Sequence, residues 1–260
     1  MEFVVLLKQV PDLAEELEID ASGKDLAREW LSQVTSEWDE YALEEALQLR
    51  DLVGGTVTCL ALDTGSVEEL LATCLARGAD RVVKVGSFER PPDTHTSAGA
   101  FAAALRSIGH DLILVGVQAI DDLDGQLGPL LAADLKLPHV SVVTHIAVGA
   151  DGKTVTANQE YAGGLVAEFE VDLPAVLGVQ TSREAPRYAP VSRVRQLMKT
   201  ATIEAVEVPP GADGGLIVES MSVPQASGHA EMIAGDAAAV ATRIAEILAE
   251  RGLTRAGAAS

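Results

Sequence analysis

The sequence predicts an α/β fold: a doubly wound, mostly parallel sheet to which antiparallel hairpins are added. Four apolar runs without polar alternation, at residues 3–7, 57–62, 81–85 and 112–117, are typical of strands that are covered on both faces. Segments with helical periodicity lie between them. Strands and helices that alternate at this spacing indicate parallel strands joined by right-handed crossover helices on both faces of the sheet.

The first two helices carry terminal signals. Ser36, with Asp39 three residues later, predicts an N-cap, and Ser66 with Glu69 has the form of a capping box. The second helix should end at Gly78, because glycine readily adopts the left-handed conformation of a C-terminal stop.

Two further helices and two hairpins follow. The alanine-rich residues 98–107 predict a third helix, and residues 125–137 predict a fourth, which ends before a proline. Turn pairs at Asp151-Gly152 and Gly163-Gly164 predict hairpins, and residues 175–179 predict another buried strand. The sheet should therefore be mixed, with an antiparallel part.

Beyond about residue 190 the sequence is less typical of a self-contained domain. Residues 209–215 form a Pro/Gly-rich segment that predicts a linker. A last helix is predicted over residues 236–251, with one apolar face. This helix either folds back on its own domain or clasps a neighbouring chain.

Composition excludes several classes of protein. The 260 residues include 39 acidic and 19 basic side chains, a formal net charge of −20, which argues against binding to nucleic acid or anionic membranes. The apolar run at residues 3–7 is too short for a signal peptide or a membrane span. Cys59 and Cys74 are too few for a disulfide scaffold or a zinc site. We therefore expect a soluble, cytoplasmic protein.

A search for catalytic motifs finds none. The sequence has no P-loop, no G-x-G-x-x-G turn and no G-x-S-x-G elbow. Its five histidines are scattered without the spacing of metal ligands. Cys59 and Cys74 lie in a predicted strand and helix, as core residues do. We therefore expect no catalytic residues and no metal site.

The segment that most suggests a ligand is the loop after the fourth strand, residues 116–129 (GVQAIDDLDGQLGP). It joins the carboxyl end of a strand to the amino end of a helix, where open α/β sheets bind ligands. The backbone N–H groups of residues 125–128 and the helix dipole favour a phosphate, and Gly125 and Gly128 permit close approach. The alternative is that one of the loop's three aspartates caps the helix.

Seven segments follow one another in a pattern shared with one protein family. They are VLLKQVPD (5–12), DEYALEEA (39–46), GADR (78–81), the loop at 116–129, Glu160 with Gly163-Gly164, LPAV (173–176) and EAPRY (184–188). Together they resemble the beta subunit of electron transfer flavoprotein over about residues 1–200. Residues 201–260 match only loosely.

The resemblance implies an electron carrier made of two chains, without catalysis by this one. An alpha subunit would carry most of the FAD site, and this chain would bind AMP, or a second FAD if the protein bifurcates electrons. Electrons would pass from acyl-CoA dehydrogenases of fatty acid beta-oxidation, or from other dehydrogenases, to a quinone reductase or another acceptor.

The resemblance also implies a division of the chain. Residues 1–190 would form a Rossmann-like nucleotide-binding domain of the adenine nucleotide alpha hydrolase type. Residues 191–260 would supply a partner-recognition loop, an extended arm and a C-terminal helix that clasps the alpha subunit.

The nucleotide contacts of the family fall on eighteen positions of this sequence. Trp38 would either stack on a ring or pack against the start of the first helix, and the sequence at 123–125 favours AMP over a second FAD without deciding between them. The eighteen positions are Leu6, Ser36, Glu37, Trp38, Asp39, Leu62, Gly116, Val117, Gln118, Ala119, Ile120, Asp121, Asp122, Leu123, Asp124, Gly125, Gln126 and Leu127.

Four more positions match residues that meet partner proteins in the family. Glu160 matches a glutamate that meets an arginine of the mobile FAD domain; otherwise it is a solvated hairpin residue. Arg187 and Tyr188 precede the recognition loop, and Val191 falls where that loop carries an apolar anchor, with Val194 and Leu197 as alternatives.

Two other functions remain possible from the sequence. One is a stand-alone ATP- or AMP-binding protein of the same α/β class, either a stress-type binder or a hydrolase. The other is a structural interaction subunit whose site is empty. The segment around Arg187 and the predicted last helix favour the electron carrier, because a solitary ATP binder needs neither.

Overall fold

The computed structural model describes residues 1–209, 217–225, 230 and 232–253. The chain divides into two compact units, Met1–Met221 and Ser222–Ser260. The predicted linker at 209–215 lies outside the described residues from residue 210 onward. The predicted domain boundary at residue 190 stays a prediction.

A nine-stranded sheet organises the first unit, in the order β11-β5-β4-β1-β6-β10-β7-β8-β9. Strands β8 and β9 are antiparallel to their neighbours and the other pairs are parallel, which confirms the predicted mixed sheet. The strands are β1 (Glu2–Leu7), β4 (Thr56–Leu62), β5 (Arg81–Val85), β6 (Leu112–Gly116), β7 (His139–Val148), β8 (Thr154–Tyr161), β9 (Leu165–Asp172), β10 (Ala175–Val179) and β11 (Glu204–Val206).

Helices cover both faces of this sheet, as predicted. Burial on both faces explains why β1 is a continuous apolar run. Phe3, Val5 and Leu7 join the core under α1 and α2, while Val4 and Leu6 join the core under α3 and α4. The helices of the first unit are α1 (Glu37–Val53), α2 (Glu68–Arg77), α3 (Thr94–Leu105), α4 (Leu127–Leu135) and α5 (Val191–Thr200).

Neither predicted serine caps its helix with a side-chain hydrogen bond, although Ser36 does stand at the N-cap position of α1. The Ser36 hydroxyl precedes α1 but makes no capping bond, and it is buried without a hydrogen-bond partner among the described residues. Helix α2 begins after Val67, so Ser66 does not cap it either. Gly78 does end α2, with a φ of +116°. The motif was right about the position of Ser36 but not about its side-chain bond, and it was wrong about Ser66 because α2 begins one residue later.

Helix α3 begins earlier than predicted because of a cap that the motif search missed. The Asp93 carboxylate accepts hydrogen bonds from the backbone N–H groups of His95 and Thr96, so the helix starts at Thr94 rather than at residue 98. Helix α4 begins at Leu127, two residues later than predicted.

Two elements near residue 200 extend the first unit. Residues 191–200, where the resemblance implies a loop, form the helix α5, which packs against α2 through the buried Val194. Strand β11 joins the edge of the sheet beside β5, and the Arg81 guanidinium lies 2.8 Å from a carboxylate oxygen of Glu204 across that pair.

The long connection after β1 contains a separate, small sheet. Strands β2 (Gln9–Pro11) and β3 (Gln33–Thr35) pair antiparallel and enclose a short 3₁₀ helix, Arg28–Trp30. The pair brings the chain back from β1 to the start of α1.

The second unit contains the predicted last helix, α6 (Ala237–Glu250), which begins where the Asp236 carboxylate accepts a hydrogen bond from the Ala239 N–H. That α6 clasps a partner stays a prediction. Over the described parts of both units, no helix is long and apolar enough to cross a membrane.

Candidate functional site

A cleft lies at the carboxyl ends of β4, β1 and β6, between the first turns of α3 and α4. The space between its walls is about 680 Å³, a figure that includes the open solvent at its mouth. The topology explains the position, because parallel strands all end at one edge and their crossover helices begin there.

Part of the predicted nucleotide site lines this cleft. These residues come from the start of α1, the end of β4 and the loop from β6 to α4, which are far apart in the sequence. They are Asp39, Leu62, Gly116, Val117, Gln118, Asp122, Gly125 and Leu127.

The other predicted positions lie around the cleft without lining it. Leu6 is buried beneath it in the core under α3 and α4, and Ser36 is also buried. Glu37 lies on a different groove, between α1, α2 and α5. The remaining positions outside the lining are Trp38, Ala119, Ile120, Asp121, Leu123, Asp124 and Gln126.

Asp39 joins three elements at the floor of the cleft. Its Oδ2 accepts a hydrogen bond from the Lys8 N–H and its Oδ1 accepts one from the Gly116 N–H, each at 2.8 Å. Lys8 directly follows β1 and Gly116 ends β6, so one side chain of α1 holds the ends of two neighbouring strands. Burial raises the pKa of Asp39 to about 7, although both N–H bonds and the nearby Lys8 favour the carboxylate.

The glycines of the loop are required by the protein's own packing. A Cβ at Gly116 would collide with Asp39 Oδ1, and one at Gly125, whose φ is +62°, would collide with the Val117 carbonyl oxygen. A Cβ at Gly128 would meet His139 Nε2. Close packing inside the protein is therefore a sufficient reason for glycine at residues 116 and 125, and the close approach of a ligand at Gly125 and Gly128 stays a prediction.

The first turn of α4 carries no side-chain cap. The position before the helix is Gln126, and no side chain accepts a hydrogen bond there, so none of the three loop aspartates caps the helix. We predicted that the Gly125 N–H would be free, and this was wrong, since it donates a hydrogen bond to the Asp122 carbonyl. The N–H groups of Leu127 and Gly128 belong to the first turn, where no intrahelical acceptor exists.

Lys8, which directly follows β1, also lines the cleft. Its ammonium lies 2.7 Å from Asp121 Oδ1, in the loop between β6 and α4. The prediction missed Lys8, although its position directly after a parallel strand was a usable signal.

The other end of the cleft is largely apolar. Ala61 and Leu62 end β4 there, and Phe101 of α3 closes the wall together with Pro91 and Pro92. None of these residues except Leu62 was predicted. Pro91 and Pro92 lie in a loop after β5, and the sequence could not show that this loop lies near the ends of β4 and β6.

The four predicted docking positions lie away from the cleft. Tyr188 and Val191 are 79% and 57% exposed, beside the groove between α1, α2 and α5. Arg187 is held by α1, because its guanidinium lies 3.0 Å from an oxygen of the buried Glu44. Glu160 is exposed on β8, opposite Val166 of β9.

Comparison with known proteins finds one matching family. The model described as "Electron transfer flavoprotein domain" matches residues 26–211. Among the relatives, the electron transfer flavoprotein subunit beta of Methylophilus methylotrophus is 30% identical, over 96% of this chain and 98% of its own.

Two other relatives carry different names. The caffeyl-CoA reductase-Etf complex subunit CarD of Acetobacterium woodii is 32% identical, over 90% of this chain and 92% of its own. The protein FixA of Azorhizobium caulinodans is 34% identical, over 68% and 65% respectively.

Proposed function

This chain belongs to the electron transfer flavoprotein family, and from that membership we propose that it is the beta subunit of a heterodimer, with AMP bound in its cleft. The observation that carries the nucleotide site is the cleft at the ends of β4, β1 and β6, where the first turn of α4 presents amides without a side-chain cap. Such a turn favours an anionic group.

The two ends of the cleft suit the two ends of an adenylate. A phosphate would lie at the N–H groups of Leu127 and Gly128, near the Lys8 ammonium. A planar base would lie at the apolar end, between Leu62 and Phe101. We propose AMP rather than a second FAD from the sequence at residues 123–125.

The partner subunit would hold most of the FAD, which supplies the redox chemistry when it is bound. The residues of this chain bind, orient and shield; we propose no catalytic residue among them. The whole heterodimer would work in the cytoplasm, with residues 1–190 as the nucleotide-binding domain and residues 191–260 as the partner-binding part.

The electron donor is proposed to be an acyl-CoA dehydrogenase or another dehydrogenase, and the acceptor a quinone reductase or another oxidant. One relative is named as a subunit of a complex with caffeyl-CoA reductase, which supports a partner that acts on CoA esters.

The docking surface is proposed to lie at Tyr188 and Val191, which are exposed beside a groove that carries both charge signs. Val194 is buried against α2, so it does not serve as the exposed anchor. Arg187 would support this surface through Glu44 rather than contact the partner directly.

Glu160 is proposed to hold the partner's FAD domain in one orientation, because its carboxylate is exposed at the far end of the β8–β9 hairpin. The variant Glu160→Ala should change the distribution of domain orientations in solution X-ray scattering. An unchanged distribution would leave Glu160 as a solvated hairpin residue.

The proposed function is tested by co-expression with the cognate alpha subunit. A yellow 1:1 complex that releases AMP on denaturation supports it, and two FAD per heterodimer would replace AMP by a second flavin. A colourless complex without an adenine compound would refute it. Tight ATP or AMP binding by this chain without any partner would favour the stand-alone nucleotide binder.

A further inference from the structure

The charges around the cleft do not by themselves favour an anion. Asp39 and Asp122 line it, and Asp121 lies beside it. Among the lining residues in the described part of the chain, Lys8 is the only cation. A helix N-terminus attracts an anion only weakly at an exposed site, so a further positive charge nearby would strengthen the binding of a phosphate.

Lys8 is placed to supply that charge. Its N–H is fixed by Asp39 at 2.8 Å and its ammonium by Asp121 at 2.7 Å. The Lys8 side chain is 17% exposed and that of Asp121 is 36% exposed. Asp121 can therefore turn toward water when it releases the ammonium, whereas Lys8 stays in the cleft.

We propose that Lys8 is the phosphate-binding cation of this cleft, and that Asp121 holds its ammonium until the phosphate of the nucleotide takes its place. This inference rests on the proposed nucleotide site. The exchange keeps one anionic partner on the ammonium throughout, so that the lysine is never left unpaired in a partly buried position. Asp39 is the positioning residue, because it fixes the backbone from which the Lys8 side chain extends.

A purely structural role for the ion pair makes a different prediction. If Lys8 and Asp121 only tie the β6–α4 loop to β1, removing either side chain should loosen the loop and weaken the binding of every ligand. If Asp121 competes with the phosphate, removing Lys8 and removing Asp121 should change the AMP affinity in opposite directions. The sign of the Asp121 effect therefore separates the two roles.

The experiment uses the heterodimer with its alpha subunit, freed of nucleotide, and measures the dissociation constants of AMP and adenosine by calorimetry. Lys8→Met should weaken AMP binding by about 10- to 100-fold, as expected for the loss of a charge-assisted hydrogen bond. The affinity for adenosine, which has no phosphate, should stay within two-fold of the wild-type value. Lys8→Arg should retain most of the AMP affinity.

Asp121→Asn should strengthen AMP binding by roughly three-fold or more, because it removes the competing carboxylate. Lys153→Met is the matched control, since it removes an exposed lysine from the turn between β7 and β8, outside the cleft. It should leave the affinities for AMP and adenosine unchanged.

Two results would overturn the assignment. One is an equal loss of AMP and adenosine affinity in Lys8→Met, and the other is weaker AMP binding in Asp121→Asn. A wild-type heterodimer that binds neither ligand would refute the nucleotide site itself, together with this role for Lys8. Normal AMP binding by the wild type and by Lys8→Met would refute the role of Lys8 alone.

Discussion

The α3 side and the α4 side of the cleft each have an aspartate that accepts two backbone N–H bonds. On the α3 side, Asp93 Oδ1 accepts from His95 and Thr96 at 2.9 and 3.1 Å, and so caps that helix. On the α4 side, the two donors to Asp39 belong to strand ends, and the first turn of α4 is left without a cap. Only one of the two helices is therefore open to an anion.

The two carboxyl groups also differ in pKa, although each accepts two backbone N–H bonds; Asp93 accepts a further bond from the Thr96 hydroxyl. Burial raises the pKa of Asp39 to about 7 and outweighs its two N–H bonds. Burial also acts to raise the pKa of Asp93, but less, and the Thr96 hydroxyl with the two N–H groups brings the pKa below its ordinary value. Loss of water decides the direction for the deeply buried Asp39, whereas hydrogen bonds decide it for the less buried Asp93.

The largest expected effect is the pH dependence of stability that Asp39 causes. Its folded-state pKa is raised from 3.8 to about 7, so between these values the folded protein binds a proton that the unfolded chain releases. Stability from this group is therefore lost as the pH rises toward 7, and is constant above it. From pH 5.5 to 7 the wild type should lose roughly 2 kcal/mol relative to Asp39→Asn, measured by chemical denaturation.

Asp93→Asn is the matched control for this titration. The lowered pKa of Asp93 has the opposite sign: its stabilisation is complete at neutral pH and is lost only in acid. The difference between wild type and Asp93→Asn should therefore be flat from pH 5.5 to 8. Parallel curves for wild type and Asp39→Asn would show that Asp39 is ionised in the folded protein across this range.

The next effect would remove the difference between the two helices. Gln126→Asp places a carboxylate before α4, as Asp93 stands before α3, and should weaken AMP binding by about 10-fold through repulsion of the phosphate. Gln126→Ala, which adds neither a cap nor a charge, should bind AMP like the wild type. Equal affinities of the Asp and Ala variants in calorimetry would show that the phosphate does not lie at α4.

The smallest effect concerns the capped helix. Asp93→Ala should lower the free energy of unfolding by about 1 kcal/mol, which is typical of a lost N-cap, and leave AMP affinity within two-fold. Asp93→Ser, which keeps an acceptor at this position, should restore most of the stability in the same denaturation experiment. A loss of AMP binding without a loss of stability would place the phosphate at α3 instead.

The sequence alone predicted the layers of this protein. The apolar runs of β1, β4, β5 and β6 and the periodic helices between them were recognisable because burial on both faces leaves a local pattern. It also predicted Asp151-Gly152 and Gly163-Gly164, both pairs with positive φ at glycine, because turn chemistry is local as well.

Part of the cleft was also predictable. The loop after β6 could be assigned because ligands in open sheets bind where strands end. Pro91 was missed because no spacing in the chain shows that it lines the cleft, and Lys8 was missed although it directly follows a parallel strand. Ser36 stands at the predicted N-cap position without the capping bond, and Ser66 was wrong as a cap because α2 begins one residue later; a motif gives residue types and not the hydrogen bonds that form.

Sequence by itself thus determined the alternation of strands and helices, the turns and the family resemblance, all of which depend on neighbours in the chain. Only the tertiary structure decided that β10 inserts between β6 and β7, and that Asp39 bonds to the ends of β1 and β6 while α4 stays uncapped. Strand order and buried hydrogen bonds depend on packing between distant segments, and the free energy of that packing is not contained in any local pattern.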